Sequence, residues 1–66
     1  MPLDALIAED EELLRSALAD QLRRLWPELR IVAECEDGAS ALEQLAEKQP
    51  DIAFLDIRMP GISGIQ

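Results

Sequence analysis

The chain has 66 residues, 48% hydrophobic and 30% charged, with 14 acids against 6 bases and a net charge of −8. This is the balance of a globular chain with room for one small core, which rules out disorder and a second domain. The acid excess disfavours direct contact with nucleic acid or anionic lipid, and a chain with no histidine and one cysteine, Cys35, can build no histidine triad, zinc finger or internal disulfide.

The first apolar run, Ala5-Leu6-Ile7-Ala8, is short, continuous and bounded by acids. It predicts a strand over about 4–8, buried on both faces as in a parallel sheet. Glu9, Asp10, Glu11 and Glu12 follow. Leu13, Leu14, Ala17, Leu18, Leu22 and Leu25 then recur at helical spacing and predict a helix over about 11–25. Arg15, Asp20, Arg23 and Arg24 fall on the opposite, solvated side. The early acids and late arginines suit the helix dipole, and Trp26-Pro27 ends the helix. The β-branched pair Ile31-Val32 marks a strand over about 30–35, where Cys35 is expected to be buried. Asp37-Gly38 opens a second helix over about 38–48, with Ala41, Leu42, Leu45 and Ala46 inward, and Pro50 stops it. A third strand covers about 51–56 and ends at Asp56. Residues 57–66, with Pro60, Gly61 and Gly64, read as a loop. The aromatics are Trp26 and Phe54 alone, so the core is aliphatic, with Trp26 at its base.

The order βαβαβ predicts a parallel sheet with right-handed crossovers. Strand order 1-2-3 would place both helices on one face. Order 2-1-3 places them on opposite faces and covers both sides of the all-apolar first strand, so it is the order expected. Strands 1 and 3 are then neighbours, and their carboxyl ends form a switch point where open α/β sheets bind ligands. Glu9, Asp10 and Asp56 converge there. Clustered carboxylates call for a counter-ion, and oxygen-only ligands suit Mg²⁺, Mn²⁺ or Ca²⁺. A metal-supported aspartate can also accept a phosphoryl group. The plainer alternative is that the first acids serve a helix N-terminus and Asp56 a turn.

Phe54 to Gly61, FLDIRMPG, resembles the phosphoacceptor strand of receiver domains in two-component response regulators. Glu9-Asp10 after Leu6-Ile7-Ala8 resembles that family's acidic pair. Asp37-Gly38 and Gly64 also fall at its positions. FLDIRMPG looks most like regulators with a LytTR-type output domain. The resemblance implies a flavodoxin-like α/β sheet, the βαβαβ half of a (βα)5 receiver domain. It implies Asp56 as the acceptor of a phosphoryl group from a histidine kinase. Mg²⁺ would be held by Asp10 and Asp56, by Glu9 through water, and by the backbone carbonyl of Arg58. Pro60 and Gly61 would shape the loop behind the acceptor.

A full receiver has about 120 residues. Its Ser/Thr after strand 4 and Lys after strand 5 have no counterpart here, and Lys48 is the only lysine. The unpaired edge of strand 3 and the uncovered sheet faces predict self-association as a homo-oligomer, a dimer. The alternative function is therefore a chemically inert, self-associating fragment. A haloacid-dehalogenase-type phosphatase is disfavoured, because Arg58 stands where that family has a second aspartate. Neither a Walker lysine loop nor a G-x-G-x-x-G run is present. The start has no signal-peptide pattern, and the longest charge-free run, 59–66, cannot span a bilayer. The expectation is a soluble cytoplasmic signalling protein, not an enzyme.

Overall fold

A computed structural model describes residues 2–56, so the expected loop over 57–66 lies outside the described residues. The elements run β1 (Asp4–Ala8), α1 (Glu12–Leu25), β2 (Arg30–Cys35), α2 (Gly38–Lys48) and β3 (Ile52–Leu55). The three strands form one parallel sheet in the order β2-β1-β3. This is the order expected from an apolar first strand that needs cover on both faces, and it is the observed solution. Ala5, Leu6, Ile7 and Ala8 are all fully buried.

Alternation along β1 divides the core between the two faces. Leu6 and Ala8 pack with Cys35 of β2 and Ala41 of α2, flanked by Ala33 and Leu45. The register explains this grouping: Leu6 pairs with Ala33 and Ala8 with Cys35. A register shift between Ala5 and Leu6 leaves Val32 as the extra residue of β2. Ala5 and Ile7 point to the other face, beside Ile52 and Phe54 of β3. Right-handed crossovers put α1 over this second face, where Ala19 is its one buried residue.

Here the structure departs from the sequence pattern. Leu13 is 84% exposed and Leu25 79%, and Leu14 and Ala17 are also exposed. The inward side of α1 is made by Leu18, Ala19 and Leu22, with Arg15 half-buried beside them. The reason is geometric. Six apolar positions span a stripe wider than one strand can cover, and only the part over β1 is used. The Arg23 guanidinium pairs with Glu34 of β2 at 3.4 Å, which ties the other flank of α1 above β2. In α2, Ala41 is buried, Leu45 half-buried and Leu42 57% exposed.

The ends of the elements follow local chemistry. Asp37 caps α2 by accepting from the Ser40 N–H at 2.7 Å. Gln49 ends it in the left-handed region at φ 48°, before Pro50. At the amino edge of the sheet, Arg30 of β2 donates from Nε and Nη2 to one carboxylate oxygen of Asp4, both at 2.7 Å. The Asp4 N–H donates to the Asp51 carboxylate at 2.9 Å, and the Asp51 N–H donates to the Asp4 carbonyl at 2.8 Å. All three strand starts are thus tied together.

Candidate metal site at the carboxyl edge of the sheet

The hydrogen-bond ladders continue one step past the strands. The Glu9 N–H donates to the Cys35 carbonyl, and the Asp56 N–H to the Ala8 carbonyl, each at 3.0 Å. Glu9 and Asp56 therefore leave the sheet on adjacent strands, which lie about 4.8 Å apart in any β-sheet. Asp10 follows Glu9 directly. One carboxylate oxygen from each of Glu9, Asp10 and Asp56 lies within 4.8 Å of the other two. Glu9 and Asp56 are half-buried and Asp10 is exposed.

The turn from β1 into α1 is built around Glu9. The N-cap residue Glu11 makes no side-chain cap. Instead the Glu9 carboxylate accepts from the Glu11 N–H at 3.0 Å, so it serves the positive end of the helix. From one turn further on, Arg15 Nη1 donates to the Glu9 carbonyl at 2.8 Å. The bond from the Glu11 N–H, taken alone, would lower the Glu9 pKa. The Asp10 side chain, burial and the charge of Asp56 outweigh it, and the net effect raises Glu9 above the usual carboxylate range. Crowded carboxylates resist simultaneous ionisation in this way.

This donor set fits a hard divalent cation. It offers only oxygen atoms, from three carboxylates. Around Mg²⁺ at about 2.0–2.1 Å, ligand oxygens lie about 3–4 Å apart, so the observed cluster needs only a small contraction. The proposed ligand Arg58 and the loop residues Pro60 and Gly61 lie outside the described residues. Cys35 is not part of the site: its thiol is buried in the core, and burial pushes its pKa up. Arg15 is the site residue that sequence reasoning placed wrongly, on the solvated side of α1. A signal was available, since it is a basic residue in the early part of a helix where the dipole favours acids.

The sheet belongs to the class of open parallel α/β folds, which take ligands at a switch point such as this one. Residues 5–66 match the family model of the response regulator receiver domain, and the chain belongs to that family. It is 52% identical over 62 residues to an uncharacterized response regulatory protein of Vibrio cholerae, covering 94% of this chain and 24% of that protein. It is 41% identical over 59 residues to a protein-glutamate methylesterase/protein-glutamine glutaminase of Carboxydothermus hydrogenoformans, covering 89% of this chain and 17% of that one. The signal receiver domain of NarL from Mycobacterium tuberculosis superposes with a TM-score of 0.86 at 36% identity, covering 96% of this chain and 50% of that one. Further relatives carry the names of transcriptional regulatory proteins. The chain thus spans about a quarter of the first curated relative and half of the solved receiver domain. None of these names bears on the LytTR-type output. Among the described residues no helix is long and apolar enough to cross a membrane.

Proposed function

We propose that this chain carries the phosphoryl-accepting edge of a receiver domain, with Asp56 as the acceptor and a histidine kinase as the donor partner. The observation that supports this reading is the convergence of Glu9, Asp10 and Asp56 at the carboxyl edge of β1 and β3. An Asp56 carboxylate oxygen attacks the phosphorus of a phosphohistidine. The O–P bond forms as the P–N bond breaks, and the imidazole nitrogen leaves with the bonding pair.

Asp10 and Asp56 would hold Mg²⁺ directly, Glu9 through water, and the Arg58 carbonyl would complete the protein ligands. When bound, the ion supplies positive charge against the repulsion between acceptor and phosphoryl group. The protein's own part is placement. The Asp56 N–H is fixed on the Ala8 carbonyl, and the Glu9 carboxylate is held by the start of α1. Pro60 and Gly61 would shape the loop behind Asp56. The added negative charge then biases an output, the role of such a switch in a cytoplasmic two-component system.

Exposed apolar side chains support the expectation that the chain self-associates. Leu13 and Leu25 stand out from α1, Leu42 from α2 and Leu55 from β3. Among the described residues β3 pairs with β1 alone. A second copy would cover part of this exposed apolar area. Sedimentation is expected to show a dimer; a folded monomer at high concentration would overturn that part of the reading.

The function is tested by incubating the chain with Mg²⁺ and phosphoramidate and measuring intact mass beside an Asp56→Ala control. The expected result is one added phosphoryl group that requires both Mg²⁺ and Asp56. A folded sample that gains no mass favours the inert, self-associating alternative.

A further inference from the structure

We infer that Arg15 is a positioning residue for the acidic pair, holding the peptide that joins Glu9 to Asp10 through its bond to the Glu9 carbonyl; the inference rests on the metal-site reading and deepens it. Arg15 lies four residues past the N-cap Glu11 and makes the first bond of the helix, donating its N–H to the Glu11 carbonyl at 2.9 Å. Long helical side chains turn back toward the helix N-terminus. Its guanidinium does so, and Nη1 meets the Glu9 carbonyl at 2.8 Å in a partly buried setting.

The position of that bond is what matters. The Glu9 N–H is already fixed on β2 by the Cys35 carbonyl at 3.0 Å. The Glu9 carbonyl belongs to the next peptide unit, which also contains the Asp10 nitrogen. Because the peptide group is planar, orienting its oxygen orients the Asp10 N–H and sets where the Asp10 Cα can lie. With the Asp56 N–H held by the Ala8 carbonyl, backbone bonds fix two of the three acids to the sheet, and Arg15 governs the step to the third. A guanidinium suits this role because it stays charged and has further donors on a rigid plane. Arg23 makes a useful contrast: it is exposed and pairs with two carboxylates, Asp20 of α1 and Glu34 of β2, at 3.7 and 3.4 Å.

The test compares the wild type with Arg15→Met, Arg15→Lys and Arg15→Gln, each first shown folded by circular dichroism. Arg24→Met removes the same charge from an exposed site on α1 and serves as the control. Two readouts are taken: the Asp10 amide resonance without metal, and Mg²⁺ affinity by calorimetric titration. Arg15→Met is expected to shift the Asp10 amide and weaken Mg²⁺ binding about tenfold, the lower end of the range for groups that orient metal ligands. Arg15→Lys should recover part of both, and Arg15→Gln, which keeps a donor without charge, should recover the amide position more than the affinity. Arg24→Met should leave both unchanged. If Arg15→Met does not fold, the Lys and Gln variants carry the same comparison. An unchanged Asp10 amide with unchanged Mg²⁺ affinity in the folded variants overturns the inference. A shifted Asp10 amide in a chain whose wild type binds no Mg²⁺ retains the positioning role and overturns the metal-site reading instead.

Discussion

The two edges of the sheet use the same residue type in opposite ways. At the amino edge, Asp4 of β1 meets two nitrogens of Arg30, and Asp51 beside β3 accepts from the Asp4 backbone. Each acid there has a matched donor, and the arrangement ties three strands together. At the carboxyl edge, acids following the same two strands, β1 and β3, are brought within 4.8 Å of one another. The basic side chain bonded there, Arg15, gives its hydrogen bond to a backbone carbonyl. One edge uses its carboxylates to join strands. The other concentrates negative charge at the point where a switch-point ligand would bind. Bonded acids join the strands at one edge, and acids crowd together at the other.

The strongest way to break the comparison is to remove the strand that both edges share. Leu6 is fully buried at the centre of β1. Leu6→Ala should cost about 2–5 kcal/mol, against a total stability of only about 3–10 kcal/mol for a chain this short. Chemical denaturation should show most or all of the cooperative transition lost, and Mg²⁺ binding lost with it.

The comparison sharpens when each edge is altered separately. Asp10→Asn should weaken Mg²⁺ binding by at least about tenfold while leaving the melting temperature unchanged or slightly raised, since it relieves repulsion. Asp4→Ala should do the reverse. The Arg30 side chain is largely exposed, which limits the loss to about 1 kcal/mol, or roughly 4–8 °C in a domain of this size. Mg²⁺ affinity should be untouched. Calorimetry and thermal melts on the two variants check both halves. A metal effect from Asp4→Ala would mean that the edges are not independent.

Much of this arrangement could be read from the residues. A continuous apolar run at 5–8 demanded cover on both faces, which selected the order 2-1-3, and that order brought Glu9, Asp10 and Asp56 to one edge. What could not be read was how α1 is rolled on the sheet. Leu13, Leu14, Ala17 and Leu25 look like core by spacing, yet they stand exposed. A helical pattern reports every apolar position, including those meant for neighbours beyond one strand. The same roll turned Arg15 inward. The helix-serving bond of Glu9 was also hidden, because a carboxylate at that position can cap a helix, face a metal, or do both. The bond from the Glu11 N–H shows the first of these uses.

The smallest expected effect is a pH dependence confined to the carboxyl edge. Glu9 holds its proton more tightly in the folded chain than its ordinary value of 4.5 would allow. Just above that value the folded state binds more protons at Glu9 than the unfolded state does. Stability contributed by this group therefore falls as pH rises through the window between the two values. Metal binding has the opposite sign, because a cation needs the carboxylate ionised and competes with the proton. On acidification, Mg²⁺ affinity should begin to fall at a higher pH than an unperturbed glutamate would give. Asp56→Asn removes one of the charges that raise Glu9, so the Glu9 carboxyl should then titrate closer to 4.5 when followed by carbon-13 NMR. A midpoint for Glu9 that ignores Asp56 would mean that the acids do not share one site.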